Sequence, residues 1–181
     1  MNNTHLPAVS FLLFVLVFIA HAEPSRIRPP APEFSVESGN GEIVTNKSVE
    51  GKIVVMFYEK REITKKNAAM KDRLNEIFDR QPENIRRVIV RLPVIDCSGV
   101  FWPITEIWKK GLRDNSKRVG MTVYCDWSGN VSRNFGMVSD ESNMLILDGK
   151  NTIRYRFSGR LDQNSLKEII DTLHYLVYEK N

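Results

Sequence analysis

Apolar runs alternate with amphipathic stretches along the chain from residue 34 onward. The run at residues 53–58 is continuously apolar and rich in β-branched and aromatic side chains, which predicts a central strand buried on both faces. Residues 88–92 predict a second strand of this kind. Between the two, apolar residues recur at helical spacing. They are Met70, Leu74, Ile77 and Phe78.

The second half of the chain continues the alternation. A helix is predicted to open at Trp102-Pro103, because proline suits a first helical turn, and to pack Ile107 and Trp108 on the sheet. A short strand at 121–125 and a short helix at 130–135 follow. Segments 143–147 and 152–157 then predict a hairpin about an Asp-Gly turn. The last helix carries one apolar stripe. Its members are Leu166, Ile169, Ile170, Leu173, Leu176 and Val177.

These elements together predict an α/β fold. Segments 34–36 and 42–44 add a short strand pair at the start of the domain. Strands separated by helices imply right-handed crossovers. We therefore expect a three-layer sandwich with a mostly parallel central sheet, closed by a C-terminal antiparallel hairpin and a final helix.

The amino terminus predicts export. Residues 8–20 form an apolar run shorter than the roughly 20 residues that span a bilayer, and Ala20-His21-Ala22 fits a signal-peptidase site. The leader departs from the usual pattern because it has no Lys or Arg. We expect a signal peptide at 1–22, a Pro-rich spacer at 23–33 and one domain at 34–181. The predicted location is the periplasm, with an extracellular location as the alternative.

The amino-acid composition argues against several kinds of functional site. The chain has 26 basic and 22 acidic residues, and its modest net charge of +4 is spread along the sequence, so no nucleic-acid partner is expected. After removal of the leader, one histidine, His174, and two cysteines, Cys97 and Cys125, remain. This set does not supply the three or four ligands of a His/Cys zinc site. We expect no metal, no cofactor and no membrane span in the exported chain.

Several segments resemble thioredoxin-like and peroxiredoxin-like proteins. Residues 51–58 (GKIVVMFY) resemble the strand that leads into the active-site helix of that superfamily, and 124–131 resemble its D-x-x-G-x-V segment. Residues 134–137 resemble a further short motif. Residues 140–149 are similar to the YtfJ family of periplasmic thioredoxin-like proteins. The resemblance covers about residues 41–176 and implies the thioredoxin-like fold.

The chain departs from that family at two positions. The resemblance places Glu62-Ile63-Thr64-Lys65 where thioredoxins carry CxxC, so no thiolate can form there. About Ser142 stands where the family has a proline before a strand. We therefore expect a non-catalytic binding or accessory module. The alternative is a divergent thiol–disulfide oxidoreductase or antioxidant that uses Cys97 and Cys125.

The cysteine pair leaves three interpretations open. The implied fold places both sulfurs at the carboxyl ends of neighbouring parallel strands, with the second strand at the sheet edge. They could form a displaced redox pair, or remain unpaired with Cys125 in the core. They could also form a structural bridge, which would close a loop of about 28 residues and stabilise the fold by roughly 3–4 kcal/mol.

Three further features are candidate binding sites. Cations around Glu62 at a predicted helix start, with Thr64 as its cap and Lys65 beside it, suit a small anionic ligand or merely a solvated turn. The basic stretch 102–118 has two interpretations: it binds an acidic partner or anionic lipid, or it is simply a solvated helix face. Trp127, in a turn, marks a contact surface or covers the core. The expected partner is an unidentified periplasmic protein or small anion. Besides the accessory module and the oxidoreductase, a third possible function is a ligand carrier that binds at the carboxyl edge of the sheet.

Overall fold

The computed structural model describes residues 30–179, so the predicted signal peptide at 1–22 and residues 23–29 of the predicted spacer lie outside the described residues. The strands are β1 (Ser35–Ser38), β2 (Ile43–Thr45), β3 (Ile53–Glu59), β4 (Ile89–Asp96), β5 (Tyr124–Asp126), β6 (Asn143–Leu147) and β7 (Ile153–Ser158). The helices are α1 (Ala68–Asp79), α2 (Glu83–Val88), α3 (Ile104–Val119), α4 (Asn130–Phe135) and α5 (Gln163–His174). A π-helical turn (Tyr175–Glu179) extends α5.

All seven strands form one sheet in the order β2-β1-β5-β4-β3-β6-β7. Only the β3–β4 and β4–β5 pairs are parallel, whereas β1 runs antiparallel to both its neighbours and β6 runs antiparallel to β3 and β7. The expected mostly parallel sheet is therefore wrong: the sheet is mixed. Strand β5 also lies inside the sheet rather than at its edge, because β1 pairs with it.

The direction of β6 is set by where the chain re-enters the sheet. Helix α4 has six residues and spans only about 9 Å, and the segment after it stays at the carboxyl edge of the parallel strands. Asn143, the first residue of β6, therefore pairs with Tyr58 near the end of β3. As a result β6 starts at the same edge where β3, β4 and β5 end.

Two apolar layers enclose the sheet, as a three-layer sandwich requires. On one face Val54, Met56 and Tyr58 of β3 pack with Val131 and Phe135 of α4. On the other face, side chains of β3 and β6 pack with α1 and α5 through residues that the helical pattern had identified. These contacts include Met70, Leu74, Phe78, Ile169 and Leu173. Within residues 30–179, no helix is long and apolar enough to cross a bilayer.

Helix α3 packs over strands β4 and β5, in a different orientation from the one expected. It begins at Ile104, after Pro103, and its buried residue is Leu112. Trp108 is half-buried, but Ile107 is 72% exposed, so the expected packing of Ile107 on the sheet is wrong. Gly39 lets the helix approach β1, since a Cβ there would lie 2.5 Å from the Lys109 carbonyl oxygen.

Three other local expectations change. Helix α1 begins at Ala68, so Thr64 is not its cap; the Thr64 hydroxyl instead donates to the Arg61 carbonyl at 3.0 Å within a 3-10 turn. Strand β4 continues past residue 92 to Asp96. Helix α2 was not predicted, because six residues contain too little apolar periodicity to mark a helix.

Candidate functional site

The carboxyl ends of β3, β4 and β5 carry a disulfide and three acidic residues. Cys97 and Cys125 form the disulfide, with their Cα atoms 5.7 Å apart. Ile95 and Asp96 of β4 pair with Cys125 and Asp126 of β5, so the sheet register brings the two cysteines together. The two cysteines thus lie at the carboxyl ends of neighbouring parallel strands, as expected, and in this structure they are paired.

The disulfide is inside the protein. Cys97 and Cys125 have exposed fractions of 1% and 0%. They pack with Ile95, Leu112 and Val123, and Trp108 and Trp127 close the cluster from outside. Because disulfide exchange needs a thiolate to reach a sulfur, this cover opposes exchange in the folded state.

Asp126, directly after Cys125, is a fully buried carboxylate in a hydrogen-bond network. It accepts hydrogen bonds from the Tyr58 hydroxyl at 3.2 Å, the Ser128 hydroxyl at 2.9 Å and the Val131 backbone N–H at 2.9 Å. Burial and the neighbouring Asp126 carboxylate raise the pKa of Tyr58 far above its ordinary value. The phenol therefore stays protonated and acts as a donor, which joins β3 to the end of β5.

A second network links the end of β3 to α1 and β6. Glu59 is buried, and Lys71 of α1 pairs with its carboxylate at 2.7 Å. The Ser142 hydroxyl donates to the same carboxylate, and Lys71 also donates to the Thr64 carbonyl at 2.7 Å. Ser142 is thus part of a polar network under the turn that follows β3.

That turn presents Glu62 and Lys65 to solvent, with Thr64 half-buried. Lys60 pairs with Asp140 at 2.8 Å and Lys66 pairs with Glu141. Two of the four cations in residues 60–66 therefore already have carboxylate partners. The hydrogen bond with Asp140 raises the pKa of Lys60 and lowers that of Asp140. Because α1 starts only at Ala68, with Asn67 as its N-cap residue, Lys66 alone among these cations adjoins the helix start, and it is paired with Glu141. Anion binding here stays a prediction.

Trp127 is half-buried in the turn after β5. Its indole Nε1 is shielded from solvent and has no hydrogen-bond partner within residues 30–179. The ring packs on the disulfide cluster, so in this structure Trp127 covers the core. Its predicted role as a contact surface stays untested.

A small apolar pocket of about 100 Å³ lies between α1 and the β3–β4 strands. Phe57, Leu74 and Phe78 line it together with two cations, Lys71 and Arg91. Lys71 is engaged by Glu59, and Arg91 binds Asn75 at 3.0 Å and Asp79 at 3.1 Å. Both cations are therefore neutralised within the protein. No cluster of His, Cys, Asp or Glu suited to a metal ion occurs in the described part of the chain.

Comparison with solved structures places this arrangement in a known fold. The exposed lipoprotein thioredoxin of Streptococcus pneumoniae superposes with a TM-score of 0.58 at 18% identity, covering 80% of this chain and 100% of that one. A thiol-disulfide oxidoreductase from Bacteroides fragilis gives 0.58 at 14%, covering 80% and 99%. A thioredoxin family thiol:disulfide interchange protein from Chlorobium tepidum gives 0.56 at 12%, covering 81% and 96%.

These likenesses define the class: the chain has a thioredoxin-like α/β fold. No protein-family model matches it, and no curated protein matches it. The identities are low, so the likeness concerns the fold.

The structure brings some predicted residues together and separates others. Cys97, Cys125 and Trp127 meet in one cluster, whereas Glu62, Thr64 and Lys65 lie in the separate turn after β3. Sequence reasoning missed the Glu59–Lys71 pair and the role of Asp126. A signal was present, since Glu59 and Asp126 are carboxylates that directly follow buried strand residues.

Proposed function

We propose that the protein is a secreted, periplasmic thioredoxin-like module that acts through binding contacts rather than through thiol–disulfide exchange. One observation carries the proposal: the chain has two cysteines, and both sit in a disulfide with exposed fractions of 1% and 0%. A substrate thiolate has no path to either sulfur without local opening of the fold.

The place where a thioredoxin-like fold does its chemistry is occupied by other side chains. The turn after β3 carries Glu62, Thr64 and Lys65, and none of these residues can form a mixed disulfide. The disulfide instead joins β5 to the loop after β4, which is where a structural crosslink would stiffen the fold. We assign it that structural role.

The proposal also covers the export of the protein and its similarity to periplasmic thioredoxin-like proteins. Residues 1–22 act as a signal peptide, residues 23–33 as a spacer and residues 34–181 as the domain. A disulfide suits an oxidising compartment, and the similarity of residues 140–149 to the YtfJ family supports a periplasmic location. The S. pneumoniae structure is of an exposed lipoprotein, which supports a location outside the cytoplasm. The partner is a protein or a small anionic ligand in that compartment.

Reduction of insulin by dithiothreitol, followed by turbidity, tests the proposal. We expect the purified protein to leave the rate equal to that of dithiothreitol alone, with an active thioredoxin as the positive control. The double variant Cys97→Ala/Cys125→Ala is the matched control and should behave like the parent. A parent that accelerates the reaction well above dithiothreitol alone, with the acceleration lost in the double variant, would establish a thiol oxidoreductase.

A further inference from the structure

The loop after Cys97 and the start of α3 expose four large apolar side chains within seven residues, here called the aromatic face. Its members are Phe101 (69% exposed), Trp102 (82%), Ile104 (41%) and Ile107 (72%). Single exposed apolar residues are ordinary on protein surfaces, but four of them so close in sequence, two of them aromatic, are typical of a contact site.

The aromatic face is held outward by packing behind it. Ile104 and Ile107 are three residues apart and share one side of α3, while Leu112 and Trp108 pack inward on the disulfide cluster. The loop is pinned by Cys97 at its base and closed by backbone hydrogen bonds from Val100 to Cys97 and from Ile104 to Phe101, both 2.9 Å. The face is thus a preformed feature of the fold.

The exposed charges of α3 as a whole and of the turn after β3 are mostly positive. On α3 and the turn after β3, the exposed cations outnumber the exposed carboxylates. The cations are Arg61, Lys65, Lys110, Lys117 and Arg118, and the carboxylates are Glu62, Glu106 and Asp114. Arg61 lies over the Trp108 ring at 5.4 Å, which fixes a guanidinium beside the start of α3. Lys109 and Arg113 bind Glu37 and the Gly39 carbonyl, and so belong to the packing against β1.

This combination fits an anionic lipid surface. Trp and Phe side chains that project beside Lys and Arg on an amphipathic helix are the pattern of interfacial membrane binding. The two best-formed pockets of the described chain are lined by other residues, and Phe101 and Trp102 project into solvent. A second copy would bring the same excess of cations, which repel each other.

We propose that the aromatic face, together with Arg61 and Lys110, docks the protein peripherally on a bilayer that contains anionic phospholipid. Phe101 and Trp102 enter the interface between headgroups and acyl chains, and the cations contact lipid phosphates. The proposal is independent of the absence of thiol exchange, because it involves neither cysteine as a reactant.

Sedimentation with vesicles tests the docking. The protein is purified after export, and its mass is measured so that the state of the leader is known; parent and variants share that state. We expect binding to phosphatidylglycerol vesicles that falls at least about tenfold on phosphatidylcholine vesicles and in the variant Trp102→Ser/Ile107→Ser. Replacing Lys110 by Ala should weaken binding by about fivefold on the anionic vesicles.

Two controls separate docking from other effects. The variant Ile43→Ser/Tyr178→Ser removes exposed apolar side chains elsewhere and should bind like the parent. Brominated phosphatidylglycerol should quench the Trp emission of the parent, and this quenching should be lost in Trp102→Leu while sedimentation is retained. Thermal melts of all variants verify folding.

Three results would overturn the proposal. The first is a parent that does not sediment with anionic vesicles. The second is a Trp102→Ser/Ile107→Ser variant that binds as well as the parent. The third is self-association of the parent without lipid that the same variant abolishes, combined with no vesicle binding, because the face would then serve a second copy.

Discussion

Removing the disulfide should lower the free energy of unfolding by an amount that follows from its place in the chain. The crosslink joins residues separated by 28 positions. The chain-entropy relation for a loop of this size gives about 3.5 kcal/mol at 25 °C, because the crosslink restricts the unfolded chain. In a domain of this size that loss corresponds to a fall in Tm of roughly 10 °C.

Two comparisons separate the contribution of the crosslink to stability from the contribution of the two buried sulfur atoms. The parent, reduced after unfolding and then refolded, keeps both sulfurs and should lose only the crosslink term. The variant Cys97→Ala/Cys125→Ala also loses two buried sulfurs, which costs roughly 1 kcal/mol each in addition. We therefore expect the stability order oxidised parent, reduced parent, double variant.

Urea unfolding followed by far-UV circular dichroism measures these differences. The slope of unfolding free energy against urea should rise on reduction, because the reduced unfolded chain is more expanded. Dithiothreitol should not change the stability of the double variant. If the reduced and oxidised parents unfold at the same urea concentration, the structural role of the disulfide is refuted.

Three further perturbations test other parts of the account. Glu59→Gln should destabilise the fold by about 2–3 kcal/mol in urea unfolding, since it leaves Lys71 without its buried partner, and Lys71→Met in the same chain should restore part of the loss; no loss would contradict the network. Gly39→Ala should cost roughly 1–3 kcal/mol, because its Cβ must displace the Lys109 backbone of α3, and an unchanged Tm would show that β1 and α3 do not approach this closely. Asp162 caps α5, and its hydrogen bond from the Ser165 N–H holds its pKa below the ordinary value. This stabilisation is present above the unfolded pKa and is lost as pH falls through the folded one, so the stability gap between parent and Asp162→Ala should be clear at neutral pH and shrink toward about pH 2; a gap independent of pH would contradict it.

Much of the secondary structure could be predicted because the local pattern determines it. The apolar run at 53–58 became β3, the Asp148-Gly149 turn closed the β6–β7 hairpin, and the stripe from Leu166 to Val177 lies on the buried side of the last helix. In each case the side chains that must be buried recur with the period of the element that buries them.

Strand direction and helix orientation could not be predicted with the same success. Whether β6 runs parallel or antiparallel to β3 depends on where the chain re-enters the sheet after α4. The periodicity of residues 130–135 does not reveal this position. Ile107 looked like a core residue because Trp108 and Leu112 are near it in sequence. The structure rotates α3 so that Leu112 is buried and Ile107 faces out.

The candidate site was predictable in part. The neighbouring positions of Cys97 and Cys125 were implied by the resemblance to thioredoxin-like proteins, but their pairing depends on the register between β4 and β5, which one sequence does not reveal. The Glu59–Lys71 ion pair joins a strand end to a helix twelve residues later. Such contacts are set by tertiary packing rather than by any local pattern.

The most direct test of the central claim is a thiol count in the folded protein. The exported protein is incubated with dithiothreitol, alkylated with or without denaturant, and weighed by mass spectrometry. The buried disulfide predicts no labelled thiol under native conditions and two labelled thiols once the protein is unfolded. Rapid labelling of both cysteines in the folded protein would contradict the account, because the bridge would then be open to exchange.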